Sequence, residues 1–267
     1  MSDVLQMLVM AKYQFKSYMR AKRLYIILLI TALVIALIVG VNSYFGNPSE
    51  DTVKKTAMDF ANFAPTLVVL TALFFGGDAI ASEYQNKTGY FLLPNPVKRW
   101  AILWGKYIAS LLAGTLIVSI YYIAGTAYTY YFHNSVPIEL GYSYLYALLF
   151  LASLMWFTYL FSSFFKSGAV ALTVVAILYF FVFNIVDGVS QIAGVEPWFS
   201  ITYASAILTL VFEGQHMGDY AHSQTLGHGL SITIYHPYLW EGCVIMLSYL
   251  LISAVLTMVI FNRREMK

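Results

Sequence analysis

The sequence predicts an all-α membrane protein: six transmembrane helices, an N-terminal amphipathic interfacial helix and an outer re-entrant segment before the last span. Three observations predict it. Of 267 residues, 60% are apolar and 10% charged, against about 25% charged in a soluble domain. A chain this short cannot bury so much apolar surface against itself, so lipid must solvate much of it. Six uncharged runs approach or exceed the roughly 20 residues that a crossing needs. The Lys and Arg residues then collect at alternate ends of those runs.

The first element, residues 1–23, is basic and amphipathic. Lys12, Lys16 and Arg20 recur every four residues, while Leu8, Phe15, Tyr18 and Met19 can share another helical face. Such a helix lies along a membrane surface. The membrane domain, residues 24–267, follows. The first apolar run is long and follows a Lys/Arg-rich segment, which suits a retained span better than a cleaved signal peptide.

The spans are expected at about 24–45, 60–80, 104–132, 142–165, 168–187 and 241–261. The second is the shortest and holds Pro65. Pro197 to Phe212 is uncharged but has too few residues to cross, so it is expected to re-enter from the outer side. Lys12 to Arg23, then Lys87, Lys98, Arg99 and Lys106, then Lys166, then Arg263, Arg264 and Lys267 fall on one side of a six-span chain. Only Lys54 and Lys55 fall on the other, and residues 167–262 hold no Lys or Arg. By the positive-inside rule both termini are cytoplasmic, in a multi-pass protein of the cell membrane.

The outer side carries Glu50, Asp51 and Asp59, then a long loop at 188–240 rich in Gly, Ser, His and aromatics. Tyr121, Tyr122, Tyr128, Tyr130, Tyr131, Trp198, Tyr235, Tyr238 and Trp240 are expected mainly to form an interfacial belt. His216, His222, His228 and His236 are candidate metal ligands by composition only. Their spacing fits no standard zinc pattern, and solvated loop histidines are the simpler reading. Cys243 stands alone in an apolar run, so the chain has no internal disulfide. Asp78, Asp187 and Glu241 sit at expected span ends. No carboxylate falls near a midplane, which argues against a proton-coupled carrier.

The segment at 78–100 carries most information. An ordinary loop would be polar throughout, whereas this one alternates charged and apolar residues. Asp78, Ser82, Glu83, Gln85 and Lys87 fit a short helix, with Glu83 and Lys87 at acid–base i,i+4 spacing. Gly89 can end that helix. Leu92-Leu93 dips back toward membrane or protein, and Pro94 and Pro96 stiffen the turn. Lys98, Arg99 and Lys106 hold the next helix end at the inner surface.

Here the chain resembles the ABC-2 type permeases. These commonly carry, between their second and third spans, an acidic residue, a Gly-Thr-like step, a Leu-Leu pair, a Pro followed by a basic residue, and a Lys entering the next span. Glu83, Thr88-Gly89, Leu92-Leu93, Pro96, Arg99 and Lys106 match, with the step inverted to Thr-Gly. The resemblance covers nearly the whole chain as architecture and about twenty-five residues as a motif. It implies an exporter half: this permease, a second permease subunit (identical or different) and a separate ATP-binding subunit that carries ATP and Mg. The short helix at about 80–86 would be the coupling element that fits the ATPase, and Glu83→Lys would disturb docking while sparing insertion. Ser110 and Gly114 would allow close contact at a dimer interface. The chain itself is expected to hold no cofactor. Gly105-Lys106 lacks the upstream glycine of a phosphate-binding loop. Membrane lipid is the other expected partner, and nothing points to nucleic acid.

The rival classes lack their residues. An intramembrane hydrolase would need a His-Glu-x-x-His motif, paired carboxylates or a Ser-His pair at depth. A secondary transporter would show repeats and broken helices with polar midplane residues. A non-catalytic subunit of another membrane complex needs no diagnostic residue and stays open.

Overall fold

A computed structural model describes residues 3–45, 52–85, 98–213, 221–226 and 230–263. Among the described residues, six helical stretches are long and apolar enough to cross a membrane: Arg23–Tyr44, Val53–Glu83, Arg99–His133, Ile138–Phe164, Gly168–Ile192 and Leu239–Arg263. Several overrun the apolar windows of the sequence. The second begins at Val53, before Lys54, Lys55 and Asp59, because a helix continues into the aqueous layer once its first turn is capped. Thr52 supplies that cap, its hydroxyl accepting from the Lys55 amide. The third span has 35 residues, about 52 Å of helix against about 30 Å of hydrocarbon.

The elements run in order as α1 (Asp3–Arg20), α2 (Arg23–Phe45), α3 (Val53–Gly76), α4 (Ala81–Gln85), α5 (Arg99–His133) and α6 (Ile138–Phe164). The fifth span is composite: α7 (Gly168–Ile177), a π-helical segment (Leu178–Phe183) and α8 (Asn184–Ile192). Two short helices, α9 (Ile201–Ser205) and α10 (Ile207–Leu210), precede strands β1 (Ala221–Leu226) and β2 (Leu230–Tyr235) and the last span, α11 (Leu239–Arg263). The strands pair antiparallel, Ala221 opposite Tyr235 and Leu226 opposite Leu230. This short hairpin is an addition to the expected all-helical architecture. Its strands are short and lie in a loop, where a hydropathy scan for spans carries no signal.

Helices α3, α5 and α6 form the core. The best apolar window is 67% buried in α3 and in α6, but 17% in the fifth span. Small residues make this possible, since helices in lipid associate by close packing rather than by escape from water. Ala57, Ala61, Ala64, Val68 and Ala72 repeat along the buried side of α3. A Cβ on Gly114 would sit 2.9 Å from Met155 Cε and 3.0 Å from Leu151 Cδ2, so α5 and α6 touch there. Ser110 and Gly114 therefore work inside one chain, which corrects their expected place at a dimer interface. The aromatic belt also divides. Tyr130, Tyr131, Trp198 and Trp240 are exposed, whereas Tyr121, Tyr122 and Tyr128 are buried. Tyr121 donates to the Phe60 carbonyl at 2.7 Å, and Tyr122 lies 2.9 Å from Ser143 Oγ. Tyr128 lies more than one turn inward from the end of α5, and Tyr121 and Tyr122 about three turns, where aromatic residues face neighbouring helices rather than the interface.

Basic residues Arg23, Arg99, Lys106 and Arg263 mark one end of the bundle, the basic end. Lys54, Glu139, Asp187 and Glu241 mark the opposite end, where Lys54 pairs with Glu139 at 2.7 Å. Helices α9 and α10 pack against α3, α6 and α11 at that opposite end. Ser143 donates to the Leu208 carbonyl at 2.7 Å, and Gly242 leaves room for Ile207. Thr202 donates to Asp187, and Tyr203 to Glu196 at 2.7 Å. Glu241 accepts from the Tyr238 amide at 3.0 Å and caps α11.

Helix α1 is not a free surface helix. It packs along the start of α5 through Met7, Ala11, Phe15 and Tyr18, with Tyr18 buried and Leu8 and Met19 exposed. This corrects the grouping of Leu8, Phe15, Tyr18 and Met19 on one face. Gly105 permits the approach: a Cβ there would lie 2.7 Å from both Met10 Cβ and the Met7 carbonyl oxygen. Gly105→Val should therefore overpack this contact and cost about 1–3 kcal/mol, measured by thermal unfolding in mild detergent. Gly40→Ala, inside α2 where a Cβ would meet nothing within 4 Å, should not lower the midpoint, since Ala favours a helix over Gly.

Candidate functional site at the basic end

The chain leaves α3 at Gly76 and enters α4 through Gly77, Asp78, Ala79 and Ile80. Two glycines are needed here for space. A Cβ on Gly76 would fall 2.0 Å from Thr158 Oγ1, and one on Gly77 2.8 Å from the Leu73 carbonyl and 3.2 Å from Leu172 Cβ. The turn is thus pressed into the cleft between α6 and α7. On the far wall, Gly168 leaves room for Asp78, whose Cβ would be 2.4 Å from an added methyl.

Three polar side chains, Arg23, Ser162 and Lys106, then hold it. Asp78 receives both guanidinium nitrogens of Arg23, each at 2.6 Å, a bidentate pair that ties the turn to the start of α2. Ser162 Oγ on α6 accepts the Ile80 and Ala81 amides, each at 3.0 Å. These are the donors at the α4 start that lack a partner within the helix. Lys106 Nζ on α5 donates to the Ala79 carbonyl at 2.8 Å and to Glu83 Oε1 at 2.5 Å. The side chains of Lys106 and Glu83 are 4% and 19% exposed.

Behind the turn lies a hydroxyl cluster. Tyr18 of α1 donates to the Phe75 carbonyl at 3.0 Å and lies 2.7 Å from Ser110 Oγ. Ser110 Oγ in turn lies 2.7 Å from Tyr159 OH on α6. Burial pushes the Tyr18 phenol above its ordinary range, so it stays a neutral donor. Trp104, Tyr107, Trp156 and Tyr159 pack beside it, Tyr107 stacked on Trp156 with centroids 4.2 Å apart. Every element from α1 to α7 thus meets within two turns of Asp78 or Glu83. Arg99 adds the last span: its Nη1 donates to the Asn262 carbonyl at 2.9 Å near the end of α11.

The residues named from sequence lie in different settings. Asp78, Glu83 and Lys106 are brought together, with Ser82 between them, and Arg99 lies on α5 against α11. Gln85 is described as the last residue of α4. Lys87, Gly89 and Pro96, with Thr88 and Leu92-Leu93, lie outside the described residues. Glu83 pairs with Lys106, a residue first read as anchoring a helix end at the membrane surface. Arg23, Ser162, Ser110, Tyr18 and Gly168 were missed as site residues. Their partners on other elements are between 35 and 92 positions away, and no local pattern reports such contacts. Of the loop histidines, His216 and His228 lie outside the described residues, only the backbone of His222 is described, and His236 follows β2. Among the described residues no three His, Cys, Asp or Glu side chains converge on a metal-sized centre.

This geometry changes what a mutation at Glu83 means. Glu83→Lys would place two ammonium groups together around a buried position, so it would disrupt the turn itself rather than a surface. Glu83→Gln should cost about 3–5 kcal/mol by leaving the Lys106 ammonium uncompensated. Adding Lys106→Met should recover much of that loss. A double-mutant cycle of unfolding in mild detergent measures it, with a coupling above about 1 kcal/mol expected.

The family profile of ABC-2 family transporter proteins matches residues 8–266, which takes in all six spans and the turn. No curated protein matches the chain. The match spans nearly the whole sequence, and the chain accordingly belongs to the ABC-2 transporter family as a multi-pass membrane component.

Proposed function

We propose that this chain is the permease subunit of an exporter driven by a separate ATP-binding subunit, and that the 76–85 turn receives the force. The observation that carries this reading is the anchoring of the turn. A segment joining two spans needs no more than solvation. This one is tied by ion pairs to α2 and α5 and by Ser162 to α6, and seated by Gly168 on α7. Displacement of α4 would therefore be handed to four spans at once, which suits a transmission element. Residues 86–97, with Lys87, Gly89 and Pro96, would complete the docking surface with Ser82, Gln85 and Arg99.

The remaining parts follow from this. ATP and Mg bind on the partner, and a second permease subunit, identical or different, completes the path. The basic end faces the cytoplasm, so both termini are cytoplasmic in the cell membrane. Helices α9 and α10 re-enter from the outer side: they form about 15 Å of helix, half of a bilayer's hydrocarbon. Family membership supports an ATP-binding partner in general terms. Export of an as yet undefined substrate follows the resemblance.

Affinity purification from native membranes with mass spectrometry tests the assignment. A stoichiometric ATP-binding subunit should come with the chain. Ser82→Arg combined with Gln85→Arg, which spares both ion pairs, should reduce its capture at least tenfold while membrane insertion is unchanged. A stable complex without an ATP-binding protein would point to another kind of membrane assembly.

A further inference from the structure

The outward side of α1 takes no part in the anchoring described above. Tyr18 and Ala11 face inward, while Leu5, Leu8, Lys12, Tyr13, Lys16, Met19 and Arg20 are exposed. Lys12, Lys16 and Arg20 stand one turn apart in a row. None of the three has a side-chain partner among the described residues. Arg23, Lys54 and Lys106 by contrast each face a carboxylate. Beside the row, Tyr13, Lys16, Ser17 and Arg20 enclose a shallow cavity of ≈ 150 Å³. Two cations and two hydroxyls around a space of that size suit a tetrahedral oxyanion.

We propose that this cavity seats the phosphate of an anionic phospholipid headgroup. The apolar residues on the same face decide for lipid over an acidic protein surface. Leu5 is 46% exposed, Leu8 53% and Met19 44%, on the same side of the helix as the cations. Lys and Arg stems can lie along such a surface and carry their charges to headgroup level. The position is right as well. A two-residue turn at Ala21-Lys22 joins α1 to α2, where Tyr25, Ile26 and Leu29 are exposed on a spanning helix. Arg23 and Asp78 pair at the end of that span. The site rests on the chain spanning a membrane and does not depend on docking of an ATP-binding subunit.

The test uses the full chain in nanodiscs of phosphatidylcholine doped with phosphatidylglycerol. After gentle transfer to detergent, mass spectrometry gives the ratio of the two lipids retained. The natural chain should retain phosphatidylglycerol preferentially. Lys16→Gln with Arg20→Gln should lower that preference at least about fivefold, the effect of one cation near an anionic surface. Lys166→Gln, an exposed cation at the same end, should leave it intact, and excess inorganic phosphate should not displace the lipid. An unchanged preference in the α1 variant would overturn the proposal, as would displacement by free phosphate. Loss of a co-purifying ATP-binding subunit with lipid preference retained would assign the face to protein instead. Absence of any such subunit from the natural chain would count against the export reading alone.

Discussion

A buried ammonium must meet a fixed anion, and in this protein that requirement sets where the chain turns after its second span. Lys106 sits on α5 with almost no access to solvent. Unpaired, such a charge costs several kcal/mol. Its ammonium is satisfied only when Ala79 and Glu83 are brought to it, and they arrive only if α3 ends at Gly76 and α4 begins at Ala81. Gly76, Gly77 and Gly168 then supply the space that this path needs. Arg23 on α2, itself partly exposed, adds a second tie to the turn through Asp78. The pairs add specificity more than net stability, since an apolar pair of the same shape could pack as well.

Hydroxyl groups do the corresponding work deeper in the bundle. Lipid provides no strong drive for one apolar helix to choose another. Tyr18, Ser110 and Tyr159 select neighbours by hydrogen bonding around the buried end of α3, where the Phe75 carbonyl accepts from both Tyr18 and Ser110. Ser143 and Ser153 do the same toward Leu208 and Met246. Close packing at glycine and alanine then fills the space between these fixed points. The bundle so built is tight at α3, α5 and α6 and open on α2 and the fifth span. Those two are left with apolar faces for lipid or another subunit.

The sequence made the spans legible because bilayer thickness is a length constraint that hydropathy reads directly. It made Glu83 and Lys106 legible as members of a motif, but not as each other's partner. Local spacing pointed from Glu83 to Lys87 instead. Ser162 and Arg23 were silent, since a serine in an apolar run and an arginine at a span boundary are both ordinary. The π-helical segment at Leu178–Phe183 has no local signature either. It is stabilised from outside its own residues by Asn184, whose side-chain amide donates to the Tyr179 carbonyl at 2.9 Å. Tyr121, Tyr122 and Tyr128 show the same limit from the other direction. Composition assigns tyrosines near a span end to the interface, but the face they occupy on α5 decides otherwise.

The central claim is that residues 76–85 move with the spans as one body. Hydrogen exchange at the Ile80 and Ala81 amides, read by mass spectrometry on the natural chain and on Ser162→Ala, measures it most directly. The account predicts slow exchange in the natural chain, comparable with the middle of α3, and exchange faster by at least tenfold in the variant. Exchange in the natural chain as fast as in a solvated loop would show that the turn is not anchored, and would contradict it.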